Sequence, residues 1–351
     1  MFGIYSRPPG NLLKLQKEGY PMTPKKLKEV LKDAVTNGEQ LLIVGQPGIG
    51  KTDIVKEVCV ELKADVIISH PAVSDPTDYK GLPFKVSDDS HAEFLPFGET
   101  YKAINATKLT LWFIDDLGQS SEAVQKALMQ LLLGRKLNGH TLSDKVVFCG
   151  ATNDIGHRAG VTGLLEPVKS RWDSIINLEP SLEDWCQWAY SNGQPPALIA
   201  FLRSRPELLS KFEATRELIN QPSPRTWASV GRRLARGLND FELFSGAVGK
   251  GPATELLAFM ELANEAPSLD AILLNPENAE IPKKPALLYL VAAGLAHRSK
   301  KDNFNRVYKY LKRLPQSFRT MAIRDAINRD VTLTGTDTFV AYASGEGKEL
   351  L

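Results

Sequence analysis

The sequence is poor in cysteine, and its cysteines form no paired motif. Cys59, Cys149 and Cys186 are the only three in 351 residues, and they are widely separated. An odd and scattered set argues against a disulfide framework and against a structural zinc site. We therefore expect buried core thiols in a protein of a reducing compartment.

Long apolar runs and a strong net charge are also lacking. No stretch reaches the roughly 18 apolar residues of a membrane span, and the N-terminus has no apolar run of signal-peptide length. The formal net charge is only +2, so the total charge favours no class of partner. These absences predict a cytoplasmic protein without membrane association. Its length predicts about two to three domains.

The most informative stretch matches the pattern G-x-x-x-x-G-K-[ST]. It follows a short apolar run at 40–44 and precedes a predicted helix at 52–62. Glycines let successive backbone N–H groups converge on a phosphate, the lysine reaches the β- and γ-phosphate oxygens, and the threonine hydroxyl can ligate Mg²⁺. The predicted nucleotide-binding residues are Gly45, Gln46, Pro47, Gly48, Ile49, Gly50, Lys51, Thr52 and Asp53.

A second apolar run, at 109–114, ends in Asp115 and Asp116. A carboxylate at the C-terminal end of a parallel strand that neighbours the P-loop strand faces the crevice where ligands bind. We predict that Asp115 holds Mg²⁺ through its water shell and that Asp116 orients or deprotonates the attacking water. A third buried run, at 145–152, ends in Asn153, which points at the same crevice.

These runs predict an α/β fold: a P-loop parallel sheet with helices on both faces, followed by an all-α lid and a helical C-terminal region. The β-branched run at 64–70 is expected to pair in parallel with the P-loop strand. Turn residues predict one hairpin at 84–94, and Asn138-Gly139 predicts another at 135–142. The expected segments are an N-terminal arm (1–20), a nucleotide-binding domain (21–180), a lid (181–267) and a C-terminal extension (268–351).

With these residues in place, the chain resembles the AAA+ ATPases over about residues 21–234, and within them the MoxR-like ATPases. That family carries one hairpin near its second helix and another before its sensor-1 strand, where 84–94 and 135–142 fall. The resemblance assigns Lys51 and Thr52 to Walker A and Asp115 and Asp116 to Walker B. It assigns Asn153 to sensor 1.

Two arginines acquire roles through the same resemblance. Arg171 lies in the segment where the family has its arginine finger, and a guanidinium placed on the charge of a phosphoryl-transfer transition state is worth about 10³ to 10⁵ in rate. Arg225, after Ser223 and Pro224, matches the sensor-2 position at the start of a lid helix. Surface salt bridges are the competing interpretation of both. The expected catalytic set is Lys51, Asp116, Asn153, Arg171 and Arg225, with Arg135 and Arg158 as weaker candidates for the finger.

The chain departs from the family at one position of this set. The family usually has Asp-Glu where this sequence has Asp115-Asp116, and the shorter second carboxylate reaches less far toward the water. Slow hydrolysis, or hydrolysis that depends on a partner, is expected from this difference.

The resemblance implies an ATP- and Mg²⁺-dependent homo-oligomeric ring, expected to be a hexamer, that remodels a protein partner, including partners with a von Willebrand factor A domain. A nucleic-acid-directed motor of a phage or mobile-element defence system is the alternative, because the run Ala151-Thr152-Asn153-Asp154 also resembles restriction ATPases and GTPases. A small-molecule phosphotransferase is a third. Basic residues interleaved with aromatics at 298–313 fit either a nucleic-acid or acidic-partner contact, or a solvated helix face, which we favour.

Overall fold

The computed structural model describes residues 21–85, 91–153, 163–213 and 219–348. They form two compact units, of which unit 1 comprises Met1–Gln46 and Lys51–Glu179, and unit 2 comprises Pro47–Gly50 and Pro180–Leu351. The expected N-terminal arm at 1–20 and the tip of the first hairpin at 87–90 lie outside the described residues. Among the described helices, none is long and apolar enough to cross a membrane.

Unit 1 is built on five parallel strands: β1 (Leu41–Gly45), β2 (Asp65–Ser69), β5 (Thr110–Ile114), β8 (Val146–Thr152) and β9 (Ser174–Leu178). They form one sheet in the order β2-β5-β8-β1-β9. Every residue of the inner strands β5 and β8 is buried, so both faces of the sheet are covered, as the predicted α/β fold requires. The helices are α1 (Pro24–Asn37), α2 (Lys51–Leu62), α3 (Pro76–Lys80), α4 (Gly98–Ile104), α5 (Glu122–Gly134) and α6 (Glu166–Lys169).

Local signals in the sequence set the ends of the first helix. The Thr23 hydroxyl accepts a hydrogen bond from the N–H of Lys26, and Pro24 occupies the first turn. Gly38 ends the helix in the left-handed region, at φ 76°, where glycine carries no steric cost. Capping at both ends therefore sets the bounds of α1, and Leu27, Leu31 and Ala34 form its buried apolar stripe.

The predicted order of the strands was wrong. The strand β2 does not pair with β1, but lies at the far edge of the sheet beside β5. The Walker-B strand β5 is not adjacent to β1 either, because β8 lies between them and pairs with both. Buried parallel strands have similar apolar sequences, and the pairing of consecutive strands is only a tendency, so sequence pattern does not encode this order.

Both predicted hairpins are present. The first pairs β3 (Leu82–Lys85) with β4 (Ala92–Leu95), and the second pairs β6 (Lys136–Leu137) with β7 (His140–Thr141). In the second, Asn138 and Gly139 have φ of 45° and 91°, as a type I′ turn demands of both central residues.

Unit 2 is helical in its regular structure. The segment Pro206–Leu208 forms a 3₁₀ turn, and the carbonyl of Leu208 accepts the indole N–H of Trp227 at 2.6 Å. The helices are α7 (Leu182–Ser191), α8 (Pro196–Ser204), α9 (Pro224–Leu234), α10 (Phe241–Val248), α11 (Lys250–Leu262), α12 (Leu269–Leu274), α13 (Pro285–Arg298), α14 (Phe304–Leu311), α15 (Gln316–Arg329) and α16 (Asp337–Ser344).

Helices from both sides of the expected boundary at residue 267 pack together. The apolar helix α13 packs against α8 and α15, and Ala293 shares a core with residues of α7, α8 and α9. The division of this region into a lid and an extension stays a prediction.

A buried polar cluster joins α15 to α7 and α8. The carboxylate of Asp325 is 1% exposed, and it accepts hydrogen bonds from Arg203 at 2.5 Å and from the Tyr190 hydroxyl at 3.0 Å. Arg203 also donates to Glu183 at 3.1 Å. Burial raises the pKa of Asp325 to about 6, against the opposing effect of the Arg203 charge. A buried charge must be paired, so the cluster ties the three helices together.

Replacing Arg203 by Met should lower the free energy of unfolding by about 3–5 kcal/mol, because it leaves the Asp325 carboxylate buried without its cation. The double variant Arg203→Met/Asp325→Leu should recover most of this loss. Urea unfolding of the full chain, followed by tryptophan fluorescence, measures both effects.

The matched control is Arg205→Met, which breaks the Arg205–Glu255 pair, whose side chains are 53% and 47% exposed. Exposed pairs contribute at most about 1 kcal/mol, so this variant should unfold near the wild-type midpoint. Equal losses in Arg203→Met and Arg205→Met would contradict a special role for the cluster.

Candidate active site

The Lys51 side chain, on the first residue of α2, is buried beneath the P-loop. Its amino group donates hydrogen bonds to the carbonyls of Gly45 at 2.8 Å and Gln46 at 3.1 Å, and to Asn153 Oδ1 at 2.9 Å. The loop turns through Gly48 and Gly50, whose φ values of 76° and 103° suit glycine alone. The loop geometry therefore explains the glycines of the motif.

Thr52, in the first turn of α2, meets Asp115, which directly follows β5. The Thr52 hydroxyl donates to Asp115 Oδ2 at 2.6 Å, and Asp115 Oδ1 accepts the N–H of Asp116 at 3.0 Å. One hydroxyl and one carboxylate are hard oxygen ligands of the kind Mg²⁺ takes, with water and phosphate oxygens completing its octahedron.

Asp116 adopts an unusual backbone conformation. Its φ of 55° and ψ of 35° lie in the left-handed region, which Asp and Asn tolerate better than most residues. Burial and the negative charge of Asp115 raise the pKa of Asp116, whereas Lys51 and His70 oppose the shift. Its side chain accepts a hydrogen bond of 3.4 Å from Asn153 Nδ2.

Asn153 connects the lysine to the second carboxylate. Its amide accepts from Lys51 and donates to Asp116, a relay made possible because β8, which precedes Asn153, lies between β1 and β5. The observed strand order thus accounts for the position of Asn153. The structure brings together Lys51, Thr52, Asp115, Asp116 and Asn153, as the sequence predicted, whereas their catalytic roles stay predictions.

The structure also places near this site a histidine that the sequence patterns did not mark as functional. His70 follows β2, the strand beside the Walker-B strand, and a positive charge on it acts on Asp116. Next to it, Ser69 accepts from the Trp112 indole at 2.6 Å and donates to Glu99 at 2.7 Å. Ser69 and His70 are polar residues at the end of a β-branched run, the same sequence signal that placed Asn153 in the crevice. That signal could have predicted their position near the site.

For the remaining predicted residues, Asp53, Arg171 and Arg225, the structure shows other surroundings than the contacts that join Lys51, Thr52, Asp115, Asp116 and Asn153. In unit 1, Asp53 is exposed in the first turn of α2, and the Arg171 guanidinium donates to the carbonyls of Met129, at 3.0 Å, and Pro167. In unit 2, Arg225 has an exposed side chain at the start of α9, and its N–H donates to the Gly48 carbonyl at 3.1 Å. The roles proposed for Asp53, Arg171 and Arg225 stay predictions.

The three cysteines are buried, as expected, and burial raises the pKa of the Cys59 thiol to about 11 and that of Cys186 to about 12. Cys149, which is fully buried in β8, is shifted in the same direction. Protonated and inaccessible thiols have no part in the chemistry of this site.

A family model described as "ATPase family associated with various cellular activities (AAA)" matches residues 41–180. The matched range begins at β1 and runs just past β9, and it includes the P-loop, both aspartates and Asn153. Residues 41–180 are therefore an AAA ATPase domain, and the chain is an ATPase that uses ATP with Mg²⁺. No curated protein matches the chain.

Solved structures add little to this assignment. RuvB of Thermotoga maritima, described as a Holliday junction branch migration motor, is 17% identical over 83% of this chain and 86% of its own, with a TM-score of 0.39. NtrX from Brucella abortus is 12% identical over 94% of this chain and 69% of its own, with a TM-score of 0.38. At such low identities and scores, neither likeness bears on the function of this chain.

Replacing Lys51 by Ala should weaken ATP binding about tenfold or more, because it removes the buried cation that faces the phosphates. Replacing Asp116 by Asn should preserve binding and lower kcat about 100-fold or more, since the amide cannot accept a proton from water. Fluorescent-nucleotide titration and steady-state ATPase assays separate the two effects.

Asp65→Asn is the matched control, because Asp65 is an exposed carboxylate at the start of β2, paired with Lys108 at the surface. It should bind and hydrolyse ATP as the unmodified chain does. Unimpaired turnover in Asp116→Asn would contradict the assignment of Asp116 as the residue that handles the attacking water.

Proposed function

We propose that this AAA ATPase domain works in a MoxR-like homo-oligomeric ring, a hexamer, that uses ATP hydrolysis to remodel a protein partner. The observation that carries the proposal is the exposed apolar surface on the two strands of the first hairpin of unit 1. Each subunit of such a ring presents a surface that receives a protein and an active site whose turnover depends on the neighbouring subunit.

All eight residues of β3 and β4 are exposed, although half of them are large and apolar. The exposed fractions are 42% for Leu82, 54% for Phe84, 38% for Phe94 and 46% for Leu95. Phe97 and Tyr101, on the following segment, extend the apolar surface. A two-stranded ribbon buries too little of itself to be stable alone in water, and exposed apolar patches of this kind mark protein-interaction sites.

The second hairpin supports the first. Asn138, at its tip, donates a hydrogen bond to the carbonyl of Lys80 at 2.8 Å, and the His140 ring nitrogen is 2.9 Å from the carbonyl of Phe94. The turn between β6 and β7 thus holds the base of the first hairpin from one side. We infer that the two hairpins form one element that contacts the partner.

Contacts in unit 2 argue against the nucleic-acid alternative. Phe304 and Tyr310, which would have to stack on bases, are buried in the core of that unit. Two of the basic residues around them are engaged within the chain, because Lys309 pairs with Glu277 at 2.9 Å and Arg313 donates to the carbonyl of Pro276 at 2.8 Å. Stacking platforms need exposed rings and free cations, so a solvated helix face is the better interpretation.

In the ATPase reaction, the residues of unit 1 have separate tasks. Lys51 exchanges its carbonyl partners for phosphate oxygens, and Thr52 with Asp115 would hold Mg²⁺, which neutralises charge on the phosphates. Asp116 accepts a proton from the attacking water. Asn153 fixes the position of the Asp116 carboxylate relative to the Lys51 ammonium, because its amide hydrogen-bonds to both. Hydrolysis then drives the movement of the hairpins.

We infer that Arg171 completes the active site of the neighbouring subunit. Arg171 precedes β9, the edge strand of the sheet, and its guanidinium rests on backbone carbonyls within its own subunit. An edge position is where another subunit can approach. Partners with a von Willebrand factor A domain are the class that the MoxR-like resemblance suggests.

Replacing Phe84 and Phe94 together by Asn should leave basal ATPase activity near normal and remove partner capture. The reason is that both rings are exposed on the hairpin and do not contact Lys51, Asp115 or Asn153. Affinity capture from the native host, with Asp116→Asn in both samples to preserve the ATP-bound state, measures the difference by mass spectrometry.

The control variant is Val60→Asn/Leu274→Asn, which removes two apolar side chains that are 78% and 81% exposed elsewhere on the chain. It should capture the same proteins as the unmodified chain. If nucleic acid rather than protein restores turnover and is recovered equally from both variants, the protein-partner proposal is wrong.

Replacing Arg171 by Ala should reduce hydrolysis about 10³-fold or more while ATP still binds, because the finger stabilises only the transition state. Mixing these chains with Lys51→Ala chains should restore activity at interfaces where an intact Arg171 faces an intact Lys51. ATPase assays on mixtures, with native mass spectrometry to verify mixed rings, make the measurement.

Lys169→Ala is the matched control, since Lys169 lies two residues away and forms an exposed pair with Glu166. It should retain full activity without mixing. Mixed rings that stay as inactive as either parent would contradict action between subunits.

A further inference from the structure

A buried amide on α5 holds the backbone that leads to Arg171. This amide belongs to Gln125, which is only 1% exposed. Its Nε2 donates to the carbonyls of Gly163 at 3.0 Å and Ser120 at 3.3 Å, and its Oε1 accepts the N–H of Leu165 at 3.0 Å. An apolar side chain makes none of these bonds and a carboxylate cannot donate two of them, so the contacts are specific to an amide.

The groups that Gln125 contacts at 163 and 165 begin residues 163–172, which we call the finger segment because it contains Arg171. Its helix α6 has only four residues. A single helical turn is not stable by itself, so the place of the finger segment is set by the residues that it contacts. Gln125 supplies two of these contacts.

The same face of α5 also holds the arginine of the finger segment. Met129 lies four residues after Gln125, and residues with this spacing share one face of a helix. The Met129 carbonyl accepts a hydrogen bond from Arg171 Nε at 3.0 Å. Helix α5 therefore contacts the finger segment both at its beginning and at Arg171.

Trp172 holds the end of the finger segment against the sheet. Its side chain is 6% exposed and packs on Gly150 of β8, where an added Cβ would come within 2.7 Å of the indole ring. Val168 is buried in the same apolar core. With Leu165 held by α5 and Trp172 held by β8, the backbone of Arg171 lies between two fixed points.

We propose that Gln125 is a positioning residue for Arg171: it fixes the start of the finger segment on α5 and thereby sets where the guanidinium meets the phosphates bound to the neighbouring subunit. A displacement of about 1 Å in a group that acts on the transition state can cost about 100-fold in rate. The inference rests on the proposed function, because it takes Arg171 to be the finger of a ring. It adds the residue that places this finger.

The contact with Ser120 provides a second route from Gln125 to catalysis. Ser120 follows Leu117–Gln119, the 3₁₀ turn after Asp116, so a shift of the amide also reaches the active site of its own subunit. Two of the three bonds, and the two shorter ones, go to the finger segment, which favours the route through Arg171. The two routes differ in which subunit loses activity.

The test is Gln125→Met, which keeps the length of the side chain and removes the amide. It should lower kcat about tenfold or more and leave ATP affinity within about twofold, because the finger acts only on the transition state. Mixing these chains with Lys51→Ala chains should restore activity, since the Lys51→Ala chains present a well-placed finger to an intact Lys51. ATPase assays and fluorescent-nucleotide titration of the full chain make the measurements.

Combination with Arg171→Ala separates positioning from general damage to the fold. Once the guanidinium is removed, Gln125 has nothing to place, so adding Gln125→Met should lower kcat less than about twofold further. Hydrogen–deuterium exchange without nucleotide gives a readout that does not depend on turnover. The backbone of the finger segment should exchange faster in Gln125→Met, whereas exchange in β8 should be unchanged.

The matched control is Thr110→Val, which removes another side-chain-to-backbone bond from a buried residue of unit 1. Thr110 is 3% exposed at the start of β5, and its hydroxyl donates to the carbonyl of Lys108 at 2.9 Å. This variant should hydrolyse ATP as the unmodified chain does. If Gln125→Met does not fold, Leu165→Pro removes the N–H that Gln125 accepts and should give the same results, since the φ of Leu165, -60°, already suits proline.

Three results would overturn the inference. The first is an equal loss of kcat in Thr110→Val. The second is a further loss of about tenfold when Gln125→Met is added to Arg171→Ala. The third is a mixture of Gln125→Met with Lys51→Ala that stays inactive while the mixture of Arg171→Ala with Lys51→Ala recovers, which would place the effect of the amide in its own subunit.

Failure of the proposed function gives a different pattern. If the mixture of Arg171→Ala with Lys51→Ala itself stays inactive in mixed rings, Arg171 is not a finger that acts between subunits, and the inference falls with the proposed function. Recovery of that mixture alone contradicts only the role of Gln125.

Discussion

The active site of unit 1 depends on one buried ammonium group. Lys51 is only 7% exposed, and its charge is balanced by two carbonyls from the end of β1 and by the Asn153 amide. Asn153 also donates a hydrogen bond to Asp116. The position of the Asp116 carboxylate therefore depends on whether Lys51 bonds to Asn153 or to another acceptor. A phosphate brings a negative charge to the ammonium that the oxygens of Gly45, Gln46 and Asn153 do not, so the exchange of these acceptors for phosphate oxygens favours nucleotide binding.

The local chemistry of the sequence predicted the elements and the residues of the site, whereas it did not predict how the strands are ordered. Caps such as Thr23, the Asn138-Gly139 turn and the glycines of the P-loop each act within a few residues, so they can be read from the chain. The separation of β1 from β5 by β8 cannot, because each strand is apolar throughout. For the same reason, Asn153 was expected in the crevice, but its contact with both Lys51 and Asp116 was not. Likewise, the indole of Trp227 ends the helical turn at Leu208 through a contact that is distant in sequence.

In unit 2, the alternation of aromatic and basic residues at 298–313 fits two interpretations, and only the packing of the aromatic side chains distinguishes them. Aromatic and basic residues alternate along α14 as they would on a nucleic-acid surface, yet Phe304 and Tyr310 face the core and Arg313 covers the Tyr310 ring at 5.5 Å. An amphipathic helix with long cationic side chains on its rim produces the same composition. Asp325 shows the opposite difference between pattern and packing. An acidic residue in the middle of α15 gives no sequence signal of burial, yet Asp325 is buried and paired with Arg203.

The left-handed backbone at Asp116 bears on which acid this position accepts. Short polar residues tolerate this conformation, and Asp and Asn are enriched in it, whereas a longer side chain gains no comparable local bond. We therefore expect the residue types that the chain accepts there to be decided by backbone geometry as well as by reaction chemistry. A glutamate introduced at this position would favour the turn less than aspartate does. The identity of the second acid is thus also a property of the turn, and an Asp116→Glu variant changes the ease of forming that turn together with the reach of the carboxylate.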